Sequence, residues 1–411
     1  MRQRANWTQE VKYGDTLGLA VLNEGNTSRS RFRRHGNQTL KNRFTAFCLS
    51  VLLPLSLCAC SMQGNTEGPS PAPEASIAEP QAAPASARTV TDMSGAQVEL
   101  PEEIHRVVCI QPTLTEYMIG FGLKDVLVGT HKNTLQRPWL LKLCPQAADI
   151  RPYSYSASAE DILAIGADLV IVPGQEEAEI LRNAGIPTVV ISLNNSGDPY
   201  EHVRLLGQIF GEPAAKHIEQ WIAEVETVKN SIEAKLDAAG VESGPKAYVI
   251  NGHSNKGFFY PAGGGGSVLE YFFNEIRIPF ALKDFPGDGN VPTEEEILET
   301  NPEVILIGGA YGAPMCKELL ADPVWADVTA VKNGSVYPIP IGGIGWDQGY
   351  LSMPIALQYY AQVCYPDLFP NDLTPSVIDF YQRFFDVTLT EADVENMFSC
   401  NTPEGTAAWE E

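Results

Sequence analysis

The sequence predicts an α/β protein of two similar lobes, each a parallel sheet flanked by helices, joined by one long linker helix. Three observations predict it. Short aliphatic runs alternate with helical stretches, and strands separated in this way by helices pair in parallel. The alternation breaks once, from Pro213 to about Ala239, for a single long helical pattern, and then restarts. Finally, "SAEDILAIGADLVIVPG" before the break matches "TEEEILETNPEVILIGG" after it. Each has a capping residue, an acidic turn, Ile-Leu, a short gap, then an aliphatic strand ending in Pro-Gly or Gly-Gly.

Taken in order, "RVVCI" (Arg106–Ile110) is a β-branched strand, "LTEYMIGFGL" a helix stopped at Gly122, and "VLVGT" the next strand. Ser158 caps a helix that ends at Gly166, with Asp161 three residues on. "DLVIVP" reads as a buried strand, "EEAEILRNAG" as a helix and "PTVVISL" as a strand. The linker pattern places Ile218, Trp221, Ile222, Val225, Ile232 and Leu236 on one face, mostly at steps of three and four. Pro213 suits its first turn and Gly240 its stop. At 1.5 Å per residue it is roughly 40 Å long, enough to run along two lobes. After it come the strand "KAYVIN", the helix "GSVLEYFFNEI", a helix capped by Thr293 with Glu296 at the capping-box position, the strand "EVILIGGA", the turn and strand "VKNGSVYPIP", and the helix "MPIALQYYAQVC".

Ahead of the lobes, the uncharged run Phe44–Leu57 is too short to span a bilayer, which takes about 20 apolar residues. It has the length of a signal-peptide core, preceded by the basic residues Arg29, Arg31, Arg33, Arg34, Lys41 and Arg43. "LCACS" (Leu57–Ser61) then resembles the lipobox of bacterial lipoproteins, which implies that Cys60 carries the lipid; Cys58 fits less well because Leu57 precedes it. One explanation for the polar residues upstream is translation from Leu40, which would put Lys41-Asn42-Arg43 directly before the apolar core. Residues 61–88, rich in Pro, Ala, Ser and Glu, cannot bury enough apolar surface to order themselves and read as a tether. The expected boundaries are therefore a leader at 1–60, a tether at 61–88, lobes at 89–212 and 245–385, the linker at 213–240, and a C-terminal tail at 386–411.

With the leader removed, 19 Lys and Arg stand against 48 Asp and Glu, a net charge near −29. Such a body repels nucleic acid and favours a basic partner surface. Five cysteines remain in it: Cys109, Cys144, Cys316, Cys364 and Cys400. Their spacing assigns no pairing and forms no metal motif, so they read as small buried hydrophobes. With six His in the chain and none clustered, a bare zinc or manganese ion is not expected as cargo. "PAGGGGS" lacks the Gly-Lys-Ser/Thr ending of a nucleotide loop and reads as a tight turn.

The blocks "RVVCIQPTLTEYMIGFGLKDVLVGTHK", "SAEDILAIGADLVIV", "NAGIPTVVI" and "DPVWADVTAVKNGSVYPIP" together resemble the substrate-binding proteins of ABC importers for iron chelates, haem and cobalamin. The resemblance runs from about Thr89 to Leu368. It implies a ligand cleft between the lobes, a permease dimer and its ATPase subunits as partners, and no catalysis in this chain. It also implies no resident cofactor and a monomer on the outer face of the cytoplasmic membrane (the periplasmic side in a cell with two membranes). The transported ligand would be an iron or cobalt complex such as a siderophore, haem or a corrinoid. Another metallophore or an oxyanion, or a metal-cluster enzyme on the same scaffold, are the alternatives.

In open parallel sheets, ligands bind beyond the carboxyl ends of the strands. The candidates there are Gln111, Thr113, His131, Lys132, Arg151, Tyr153 and Tyr155 in the first lobe. In the second they are His253, Phe258, Tyr311, Trp346 and Asp347. The aromatic rings would stack on a flat chelate, with Trp346 placed in the cleft. Arg151 would contact a carboxylate. His253 is the candidate axial ligand to iron. The few cleft-side cations favour haem, a corrinoid or a near-neutral chelate over the most anionic siderophores. The resemblance implies docking on the permease through a surface glutamate of each lobe, Glu176 or Glu177 in the first and Glu318 in the second.

Overall fold

The computed structural model describes residues 88–193, 198–252, 257–259, 261, 268–283, 292–347 and 350–408. The leader, Cys60, the tether as far as Ala87, and His253 lie outside the described residues.

The chain enters through an antiparallel hairpin, β1 (Arg88–Thr91) and β2 (Gln97–Leu100). Its turn is anchored by Asp92, which accepts bonds from the backbone N–H groups of Ala96 at 3.0 Å and Val190 at 2.9 Å and pairs with Arg182.

Among the described residues the first lobe then builds a five-stranded parallel sheet. Its elements are β3 (Val107–Cys109), α1 (Pro112–Gly120), β4 (Leu127–His131), the single-turn helices α2 (Lys132–Leu135) and α3 (Leu140–Leu143), β5 (Arg151–Tyr153), α4 (Ala159–Ala164), β6 (Leu169–Val172), α5 (Gln175–Asn183) and β7 (Thr188–Val190). The strand order is β5-β4-β3-β6-β7. The central strands β3 and β6 are buried along their whole length, as their unbroken aliphatic runs require of a sheet covered on both faces. Local chemistry sets the helix starts. The Gln111 side chain accepts from Thr113 N at 2.9 Å, and Ser158 Oγ from Asp161 N at 3.1 Å.

α6 (Glu201–Phe210) leads into α7 (Ala214–Ala238), the linker helix. The stripe expected on α7 is buried, and Lys229 joins it. Trp221 shows how the rod holds both lobes. Its ring meets Tyr117 of α1 edge-on at 5.4 Å, while its indole N–H donates to the Leu351 carbonyl, 130 residues further on, at 2.8 Å. Lys229 reaches Glu226 on its own helix at 2.8 Å and Glu275 in the second lobe at 2.9 Å.

The second lobe contains β8 (Ala247–Ile250), α8 (Val268–Glu275), α9 (Glu294–Glu299), β9 (Val304–Ile307), α10 (Gly312–Ala321), α11 (Thr329–Lys332), β10 (Val336–Pro338) and α12 (Met353–Cys364). Among the described residues its sheet is three-stranded and parallel, in the order β10-β9-β8. Thr293 and Glu296 form the capping box that their spacing predicts.

The C-terminal segment is more structured than a tail. α13 (Thr374–Phe385) is followed by α14 (Glu391–Phe398), which has a capping box of its own at Thr390 and Asp393. Asp393 pairs with Lys142 of α3 at 2.5 Å, and the Trp139 indole N–H donates to the Asn401 carbonyl at 2.9 Å. Ile341 N–H donates to the Met397 carbonyl at 3.1 Å. The segment beyond residue 386 thus buries apolar groups against the second lobe and is bonded to the first. All five body cysteines are buried and unpaired with one another. Among the described residues no helix is long and apolar enough to cross a membrane.

Candidate ligand-binding site

A cavity of about 580 Å³ opens at the carboxyl ends of β4, β5 and β6, lined by His131, Lys132, Asn133, Ser154, Tyr155, Ser156, Glu176, Glu177 and Ile180. The chain leaves β3 outward through β4 and β5 on one side, then returns to β6 and β7 on the other. Side chains from both directions line the cavity, which marks the reversal point where open α/β sheets hold ligands.

His131 ends β4, and its side chain is all but buried. Nδ1 accepts the Asn133 backbone N–H at 3.2 Å, which caps α2. An accepting Nδ1 leaves the proton of the neutral ring on Nε2. Burial, and then the neighbouring Lys132 ammonium, hold the ring below the usual histidine value. His131 is therefore a neutral ring on the cavity wall at neutral pH. Tyr155 lies over it, ring centroids 4.2 Å apart and planes at 32°, with 47% of its surface exposed. Burial pushes its phenol up, against a pull from Arg137, so it stays protonated. The α5 helix contributes Glu176 and Glu177 in its first turn, where the helix dipole favours acids.

The cavity thus combines N–H and hydroxyl donors, one ammonium, one exposed aromatic face and two carboxylates. Among the described residues no group of three His, Cys, Asp or Glu side chains converges to hold a bare metal ion.

Of the sequence-predicted residues, this cavity brings together His131, Lys132, Tyr155, Glu176 and Glu177. The two glutamates, expected on a docking surface, are among the residues that line this cavity. Gln111 and Thr113 sit at the start of α1 and are not part of the lining. Arg151 also falls outside it. Its guanidinium lies over the Tyr153 ring at 5.5 Å and pairs with Asp161 at 3.2 Å. Tyr153 is buried in the lobe, its ring packed so tightly on Gly129 that a Cβ there would stand 2.6 Å away.

In the second lobe, the expectation that Trp346 faces the cleft is corrected. It has no exposed surface and packs edge-on against Phe398 at 5.7 Å and Tyr359 at 6.2 Å. Asp347 is buried beside it, its carboxylate lying against Gly308 and Gly345. Phe258 is half-buried and meets Trp325 edge-on at 6.1 Å. Tyr311 caps α10 and is half-buried, and Glu318 is exposed on the same helix. Sequence reasoning missed Ser154 and Ser156. The one signal for them was the Ser-Tyr-Ser alternation beyond a short strand.

The family description "periplasmic binding protein" matches residues 107–341, more than half of the chain. This chain belongs to that family. It is accordingly a substrate-binding protein of an ABC importer, which implies permease and ATPase partners. Among relatives, the molybdate-binding protein MolA of Haemophilus influenzae is 26% identical over 72% of this chain and 91% of its own length. The iron(3+)-hydroxamate-binding protein FhuD of Bacillus subtilis is 24% identical over 75% of this chain and 92% of its own. The molybdate-bound structure of MolA superposes with a TM-score of 0.63 at 19% identity, covering 74% of this chain and 99% of that one. The fold is the mixed α/β architecture of these binding proteins.

Proposed function

We propose that this periplasmic-binding-family member is lipid-anchored through Cys60 and delivers a compact iron or cobalt chelate to its importer. The size and chemical mix of the cavity carry the reading. A volume of about 580 Å³ lies within the ~300–1,000 Å³ typical of sites for organic small molecules. Tyr155 offers a face for a flat or conjugated ligand, and His131, Lys132 and the two serines offer donors for its oxygens. Glu176 and Glu177 suit a cargo that also carries amine or amide N–H groups. The relation to an iron-hydroxamate-binding protein supports the same class.

A second reading, a bare oxyanion cargo, is favoured by the 26% identity to a molybdate-binding protein. Two carboxylates on the cavity wall oppose it, since an anion beside them is repelled and desolvated. Calorimetric titration with ferric hydroxamates, haemin, cobalamin and molybdate separates the readings. Saturable binding of one chelate class at micromolar or tighter levels, with no heat from molybdate, is expected. Molybdate binding without chelate binding would overturn the assignment.

The anchor has its own test. Cys60→Ser is expected to move the chain from the membrane fraction to the soluble fraction after expression in its host; unchanged membrane association would remove Cys60 from that role.

A further inference from the structure

Glu116, on the second turn of α1, exposes 1% of its surface. Its Oε1 accepts a hydrogen bond from the Ile344 backbone N–H at 3.0 Å. Ile344 belongs to the glycine-rich loop between β10 and α12, so this bond joins the first lobe to the second. Among the described residues, buried Glu116 Oε2 has no hydrogen-bond partner. The fit leaves no slack. A Cβ on Gly343 would stand 2.6 Å from Oε1, so any larger residue there would have to push the carboxyl out of its present seat.

A carboxylate in this setting would leave a buried charge with one oxygen unmet, which is costly, whereas the neutral acid escapes most of that penalty. Burial pushes the carboxyl up to about 8, against the pull of the Ile344 N–H and of Arg137. We infer that Glu116 is a positioning residue, kept as a neutral carboxylic acid, that pins the glycine-rich loop of the second lobe to the first and loosens it on losing its proton.

The other groups around α1 do not replace it. Tyr381 of α13 feels the same carboxyl, and its own phenol is pushed further up by burial. Cys109 of β3 is a buried thiol pushed up to about 12. His131 of β4 and Lys132 of α2 face the cavity. Lys124 and Asp125 lie in the turn before β4, and Asp347 closes the loop itself. Asp379 and Arg383 of α13 pair with each other at 2.7 Å, and Arg383 grips Glu224 of α7 with two bonds of 2.5 and 2.7 Å. Lys142 of α3 is held by Asp393.

The sign follows from linkage. With the contact closed, the acid keeps its proton up to about 8; opened and hydrated, it returns toward 4.5. Between those values opening releases a proton. The stabilisation is fully present below 4.5 and is lost as pH rises through about 8.

The test uses the full chain without cargo, so its failure is separate from any failure of the chelate reading. Amide hydrogen exchange is followed by mass spectrometry for the peptide containing Ile344, between about pH 6 and 9, with rates corrected for intrinsic pH dependence. In the wild type, protection is expected to fall by up to roughly tenfold per pH unit as far as about pH 8, the limit for one released proton, and to level off above it. Glu116→Gln keeps an acceptor for Ile344 and removes the titration, so it is expected to stay protected with a flat profile. Glu116→Ala is expected to lose protection at every pH; if it does not fold, the glutamine variant decides alone. A flat wild-type profile, or a glutamine variant that follows the wild-type slope, would overturn the inference.

Discussion

Two loops at the carboxyl ends of strands each carry one aromatic ring among small residues, and they end in opposite environments. Ser154-Tyr155-Ser156 follows β5 at the edge of the first sheet, and nearly half of the Tyr155 surface stays exposed over His131. The glycine-rich run that ends in Trp346 follows β10, and its indole is fully enclosed by Tyr359 of α12 and Phe398 of α14. The strand-end rule locates the face on which a ligand sits. It does not say which ring on that face remains free, because that depends on what the rest of the chain stacks above it. Here α14, arriving from the far C-terminus, takes Trp346 into the core.

The largest effect that can break this contrast is at Trp346 itself. Trp346→Ala removes a ring with no exposed surface from a close-packed site. Such truncations cost about 3–5 kcal/mol, because the lost contacts leave a cavity that relaxes only in part. Urea unfolding is expected to show a loss of that order, with the midpoint moved at a nearly unchanged slope. A variant as stable as the wild type that no longer binds cargo would instead return Trp346 to the ligand face.

The same distinction explains what was legible in the sequence. The sheets were readable because β3, β6 and β9 are continuous aliphatic runs, buried end to end, a pattern that parallel strands share. The linker was readable because its buried stripe follows the helical period for 25 residues. β5 was not, since Pro152 sits in its middle; a proline cannot donate to a ladder and is tolerated there because β5 is an edge strand. α2 and α3 are single turns, too short to show a period. His131 and Lys132, expected at strand ends, line the cavity, and the first turn of α5, expected to dock on a partner, lines it too. That Arg151 lies outside the cavity lining was not legible, because its ion pair with Asp161 and its stacking on Tyr153 join residues of β5 to α4 and within β5 only in the folded chain. Glu116 could not be read at all, because its partner lies 228 residues away, and no local pattern encodes that contact.

Tyr155 sharpens the contrast from the other side, with a smaller effect on a different observable. Its ring covers His131 and is itself nearly half exposed, so Tyr155→Ala should change stability by about 1 kcal/mol or less, well below the effect at Trp346. Its cost falls on the ligand. Losing one partly exposed stacking face should weaken cargo binding roughly tenfold, about 1.4 kcal/mol, read by calorimetry with whichever chelate binds. Tyr155→Phe separates the two contributions of the side chain. If stacking carries the effect, phenylalanine restores most of the affinity; if the phenol donates to a cargo oxygen, it restores little. Either result keeps Tyr155 on the ligand face. Unchanged affinity in the alanine variant would instead mean that an exposed ring over a buried donor is surface only, and that the cargo is held by Lys132 and the serines without it.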